Sequence, residues 1–313
     1  MERISPRVDI AFKKIFGVEE NKDLLISLIN SIVGEEDQVS DVILLNPYNA
    51  QNFSRDKLSV LDIKAQGLDG KRFNIEIQIS DEADYDKRAL YYWAKLYTEQ
   101  LEVAEDYSTL SKAIGIHILN FISIPEVDKY HNVFHITEKE TGEAYFKDLE
   151  LHTIELKKFS KDSNEILSDI VAKVKNSLDM WLAFLTRNDL LKADNLPKSL
   201  NDNSLKKALT VLDVMNFSSM ERDAYEDHLK WLRIEANTLK KAESKGVDKG
   251  RKEGKEEGKK EGKEEGRKEG KEEGREERNI EVAKKMLSKN KPVEEIIEFT
   301  GLTIKQIAQL KND

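Results

Sequence analysis

The sequence predicts an α/β fold: a mixed central sheet flanked by helices, followed by an all-helical lobe and a charged helical tail built on a glycine repeat. Three observations lead there. Stretches that alternate apolar and polar residues sit between stretches of helical spacing in residues 1–160, apolar residues recur at helical spacing through 161–240, and glycine stands at every fourth position from 246 to 274.

From Asp9 to Ile32 the apolar positions are Ile10, Phe12, Ile15, Phe16, Leu24, Leu25, Leu28, Ile29 and Ile32, a spacing that predicts two helices around Gly17. Strand character follows in VSDVILL, in KLSVLDIKAQ and, after a GLDG turn, in KRFNIEIQIS, where Phe73, Ile75, Ile77 and Ile79 alternate with polar residues. The last two segments read as a β-hairpin. Asp84 to Val103 returns to helical spacing, and AIGIHILNF (113–121) has the near-continuous apolar character of a buried strand. His117, within that run, is expected to be buried and hydrogen-bonded rather than a ligand. HNVFHIT and LHTIEL supply two more strands, so helices and strands interleave in the order of a mixed sheet with helices packed on it.

One long amphipathic helix is expected from Ser163 to Leu185, on Ile166, Ile170, Val171, Val174, Leu178, Trp181, Leu182 and Leu185, with further helices to residue 240. The tract 241–278 is different in kind, with Lys, Arg and Glu filling the gaps between the regularly spaced glycines. Glycine costs a helix roughly 1 kcal/mol against alanine, and Glu–Lys pairs return a few tenths each. The tract is therefore either a charged linker or semi-helical spacer, or a bare stripe that supports self-association. Residues 279–313 form a small helical element, with Pro292 in a first turn, Gly301 as a C-terminal cap and Thr303 with Gln306 as a capping box.

Composition excludes several chemistries. With no cysteine, thiol catalysis and zinc ribbons are ruled out, and any metal must be held by oxygen or imidazole, which favours Mg²⁺ or Mn²⁺. No apolar run reaches the length of a membrane span and the start lacks a secretory signal, so a soluble, cytoplasmic protein without membrane contact is expected. The net charge of −9 argues against a polyanionic partner. Residues 241–278 hold 14 basic and 13 acidic side chains, so the acidity belongs to the rest of the chain, and a nucleic-acid cleft there must be locally basic.

The hairpin concentrates the chemistry. A turn centred on Asp69 sets Asp62 opposite Glu76 and Val60 opposite Gln78, and alternation puts Glu76 and Gln78 on the face away from Ile75 and Ile77. A slip by one residue would move the whole set to the other face. Two facing carboxylates repel unless a cation lies between them. Asp62 and Glu76 are thus candidate Mg²⁺ ligands, with Gln78 aimed to orient a water or phosphate oxygen. Parity alone leaves an alternative, since alternating charges also form the solvated face of an edge sheet.

Wider similarity favours the metal reading. VDIAFKKIFG (8–17), LDIKAQ (61–66), FNIEIQ (73–78), KRALYYWAKLYTEQL (87–101), DYSTL and IGIHILNF together resemble the PD-(D/E)XK nuclease superfamily, specifically its Rpn/YhgA-like recombination-promoting nucleases or transposases. The resemblance extends over nearly the whole chain, the glycine tail included. It implies a restriction-endonuclease-like core, Mg²⁺- or Mn²⁺-dependent cleavage of DNA phosphodiesters, and a role in DNA recombination or mobile-element biology. It also implies that Asp62 and Glu76 hold the metal, that Asp9 approaches it through water, and that Gln78 stands where most of the superfamily has lysine.

Glutamine cannot supply the charge that stabilises a pentacovalent phosphate, and Lys64, two residues after Asp62, is a candidate to do so. Arg88, Tyr92 and Lys95 share a helical stripe that reads as a DNA-contacting face or, alternatively, as solvated surface. The rival to an endonuclease is a catalytically weak or inactive chain that binds nucleic acid or acts as a protein-interaction scaffold, assembling as a homo-oligomer through the glycine repeat.

Overall fold

A computed structural model describes residues 4–46, 62–81, 84–161, 164–213 and 217–311, with the backbone alone at 62, 235, 236 and 239. The chain divides into two compact units, 1–232 and 233–313.

In the first unit, helices α1 (Asp9–Phe16) and α2 (Lys22–Asn30) flank Gly17, as the spacing predicts. Strands β1 (Val42–Leu44), β2 (Asp62–Gly67) and β3 (Arg72–Gln78) form an antiparallel meander. Helix α3 (Tyr85–Thr98) crosses over to β4 (Ala113–Leu119), which runs parallel to β3. Strands β5 (His131–Ile136) and β6 (Phe146–Glu155) complete a mixed six-stranded sheet of order β1-β2-β3-β4-β6-β5. The turn between β2 and β3 closes through Gly70, whose φ of +86° lies in the left-handed region that favours glycine.

Alternation then assigns the two faces. Ile63, Ala65, Phe73, Ile75, Ile77, Ile114, Ile116 and Ile118 join one core with Phe12, Ile15 and Phe16 of α1 and with Leu24, Leu25 and Leu28 of α2. Later helices contribute to this same core: α4 (Leu156–Phe159), α5 (Leu167–Lys173), α6 (Ser177–Arg187) and α7 (Asn203–Val211). Trp181 of α6 is fully buried, its ring centroid 5.3 Å from that of Phe16 and its indole N–H 3.3 Å from Ser27 Oγ.

The single helix expected over Ser163–Leu185 is in fact two, α5 and α6. Asn176 caps the second by accepting from the Asp179 N–H, while the Asp179 carboxylate accepts from the backbone of Lys175 and Asn176. This reciprocal capping starts a new helix where hydrophobic periodicity alone suggests continuity.

Helix α8 (Ser219–Ser288) begins in the first unit and carries the glycine repeat in the second. Its eight glycines from Gly246 to Gly274 are exposed, and a Cβ at any of them would meet nothing within 4 Å. Helices α9 (Val293–Thr300) and α10 (Ile304–Leu310) pack Ile296, Leu302 and Ile307 against Ala283 in a small core of their own. Pro292 precedes α9 as its N-cap, Gly301 takes the left-handed C-terminal position at φ 68°, and Thr303 with Gln306 forms the expected capping box. No helix among the described residues is long and apolar enough to cross a membrane.

Candidate functional site

The register of β2 and β3 pairs Asp62 with Glu76, Ile63 with Ile75, Lys64 with Asn74 and Ala65 with Phe73. This is the pairing that a turn centred on Asp69 requires. Val60 and the Asp62 side chain lie outside what is described, but the register sets position 62 directly across from Glu76. Glu76 and Gln78 are both buried, 4% and 5% exposed, so this part of the sheet is no solvated face.

Helix α3 covers them. Arg88 Nη2 donates to Gln78 Oε1 at 2.7 Å and to Glu76 Oε1 at 3.3 Å, and the Gln78 amide donates to the Ser80 carbonyl at 3.1 Å. Farther along α3, the Trp93 indole donates to the Ala113 carbonyl at 2.8 Å and fastens the helix to β4. Arg88 thus turns toward the sheet. Lys95, on the same stripe, is exposed and 3.6 Å from Glu99, and half-buried Tyr92 meets the Tyr91 ring edge.

Lys64 lies two positions from Asp62 on β2, and its Nζ donates to Glu99 Oε2 at 3.0 Å. Burial pushes the Glu99 carboxyl pKa up, but Lys64 and then Lys95 outweigh it, leaving Glu99 below its ordinary range. Asp9 is buried on α1, with Lys13 Nζ 3.8 Å away. The chain just before it is tied to the end of β3: Arg7 donates to Asn120 Oδ1 at 2.8 Å, and the Asn120 N–H donates to the Gln78 carbonyl at 2.9 Å.

Two groups in the site escape a sequence reading. His117 of β4 pairs in register with Glu76, and its Nδ1 stands 3.7 Å from Glu76 Oε2. The ring is 2% exposed, as expected, and neither nitrogen has a hydrogen-bond partner among the described residues. Burial, then Arg88 and His152, lower its pKa to about 4, so the imidazole is neutral. Tyr85 of α3 meets the His117 ring edge-on at 5.8 Å, and its buried hydroxyl also has no partner among the described residues. Burial and the Glu76 charge raise that hydroxyl's pKa, keeping it protonated. An alternation of apolar and polar residues marks strand faces, but it carries no information on which α3 residue reaches them.

A second buried polar group makes an instructive contrast. His131 and His152 share a 2.9 Å hydrogen bond, and His152 bonds to Glu150 Oε1 at 2.7 Å. Lys112 then bridges Glu150 and Asp37 at 2.7 and 2.5 Å. Buried charges here complete one another.

Among the described residues no set of three His, Asp or Glu side chains is arranged to hold a metal, and the Asp62 side chain is not among them. The donors present still suit a divalent cation. A buried carboxylate faces the Asp62 position, and buried imidazole and hydroxyl groups beside it lack partners among the described residues.

No curated protein and no solved structure matches the chain. A family model does: PD-(D/E)XK nuclease family transposase, over residues 6–242. That span includes all six strands and α3, and this chain belongs to the PD-(D/E)XK nuclease family transposases.

Proposed function

We propose that this chain is a Mg²⁺- or Mn²⁺-dependent DNA endonuclease that hydrolyses phosphodiester bonds in DNA recombination or mobile-element biology. The observation that most supports this reading is the pairing of Asp62 with Glu76, with Gln78 next along the same buried face beneath α3. Asp62 and Glu76 would hold the cation, with Asp9 at its margin. A bound divalent ion supplies the charge that polarises the scissile phosphate and lowers the pKa of the attacking water.

The chain's own residues set the remaining terms. Gln78 accepts from Arg88 and donates to Ser80, so its amide is held rigidly at the site and offers orientation without charge. Arg88, half-buried at the same place, is the cation that can meet a phosphate oxygen there. Lys64 is held by Glu99, and Tyr92 and Lys95 continue the helix face along which DNA would lie. The ties of Arg88 and Lys64 to carboxylates favour the rival reading, a chain that binds nucleic acid without cutting it.

Plasmid nicking with Mg²⁺ or Mn²⁺ decides between them. Wild type should nick, Asp62→Ala should fall to background, and equal rates for the two would sink the nuclease reading. Self-association through the glycine repeat belongs to the same proposal. Light scattering should report fewer protomers per particle once 241–313 are removed, and an unchanged number of protomers would discard that role.

A further inference from the structure

We propose that His117 Nδ1 is a direct ligand of the cation held at Glu76, giving the site a mixed oxygen and nitrogen donor set that prefers first-row transition ions to Mg²⁺. The inference rests on the metal-site reading above and adds a residue that composition and strand alternation leave in the apolar core.

Position and distance converge. Register places His117 directly beside Glu76 on the neighbouring parallel strand. The 3.7 Å from Nδ1 to Glu76 Oε2 is too long for a hydrogen bond. It is also too short for a bridging water, which would need about 5 Å between its two partners. A cation shared by the two atoms would supply the partner that neither a direct hydrogen bond nor a water can be.

The environment shapes the ring for the task. Neither His117 nitrogen has a hydrogen-bond partner among the described residues, although the ring is almost fully buried. A buried polar group without a partner is costly, and a ligand that completes it recovers the cost. Gly115 makes the space, because a Cβ there would stand 3.0 Å from His117 Nε2 and 2.6 Å from Leu151 Cδ2. Tyr85 closes the ring's other side by its edge. Imidazole suits first-row transition ions, whereas Mg²⁺ favours oxygen donors, so a histidine ligand turns selectivity away from Mg²⁺.

The test is pulsed EPR of the full chain, stripped by chelation and reloaded with one equivalent of Mn²⁺. Wild type should show coupling from a directly bonded ¹⁴N. His117→Gln should still bind Mn²⁺ but lose that coupling, with its preference for Mn²⁺ over Mg²⁺ reduced. Bound Mn²⁺ without nitrogen coupling in wild type overturns the inference and leaves the carboxylate site standing. No Mn²⁺ binding overturns both.

If His117→Gln does not fold, histidine-¹⁵N-labelled wild type gives the answer through Zn²⁺ titration by NMR. The imidazole identified by its contact with Tyr85 should shift at Nδ1, and an unmoved resonance rejects the proposal.

Discussion

On one face of the sheet Ile75, Ile77, Ile114, Ile116 and Ile118 are buried with residues of α1, α2 and α6; on the other, Glu76, Gln78 and His117 are buried as deeply beneath α3. The first face gains free energy from every apolar side chain removed from water. The second gains less, because an imidazole is desolvated there without a hydrogen-bond partner among the described residues. Depth of burial therefore separates nothing here, and completeness of partnering does. Even the buried side chains of Glu150 and His152 are matched by Lys112 and His131, whereas His117 and Tyr85 are left with unmatched polar atoms among the described residues. Unmatched polarity at a buried site points to a ligand rather than to the fold.

Exchanging one residue on each face should break this comparison most sharply. Loss of partners that merely support a metal ligand already costs about 10- to 100-fold in affinity, so Glu76→Gln should weaken Mn²⁺ binding by about a hundredfold or more. Calorimetric titration reads this, and urea unfolding of the same variant should change little. Ile75→Ala should do the reverse, losing about 2–5 kcal/mol of stability while Mn²⁺ affinity is kept. Equal effects of both variants on both measurements would erase the distinction between the faces.

Protons probe the matched network. Burial, then His152, lowers the His131 pKa to about 4, so the unfolded chain binds a proton that the native state refuses. Stability from this group is complete above its ordinary pKa of 6.5 and is lost as pH falls toward 4. Solvent screening at this half-buried ring limits the loss to about 2 kcal/mol.

Glu150 has the same sign over a lower range. Burial pushes it up, but His152 and Lys112 prevail and hold it at about 2, so its contribution is lost between 4.5 and 2. His117, lowered to about 4 as well, titrates over the upper range with His131, so chemical denaturation across pH should fall in two stages and His131→Asn should shrink the upper one without removing it.

The smallest effect sharpens the site itself. The Lys64–Glu99 pair is partly exposed, so Lys64→Ala should change stability by less than about 1 kcal/mol. Arg88→Ala should slow nicking by about 100-fold, as removal of a preorganised donor to a developing charge does. If Lys64→Ala slows nicking as much, the positive charge acts from β2 and not from α3.

The hairpin register was legible because strand parity and a short glycine turn leave one arrangement that buries Ile63, Phe73, Ile75 and Ile77 together. Alternation even separated Glu76 and Gln78 from the core. Arg88 was legible as part of a polar stripe, but its hydrogen bonds depend on how α3 docks, a long-range packing outcome. His117 was hidden because AIGIHILNF reads as one apolar strand, and only pairing with β3 sets the ring beside Glu76. The break between α5 and α6 did leave a signal. Asn176 and Asp179 stand at capping-box spacing, and hydrophobic periodicity running through them drew attention away.

Arg88 also bears on how the protein matures. A guanidinium that touches Glu76 and Gln78 acts as an internal counter-ion to the buried carboxylate. On the proposed reading the chain would differ from domains that need a metal to fold. Its affinity for an ion would then include the cost of displacing an arginine, so the seat of α3 would set how tightly the ion is held.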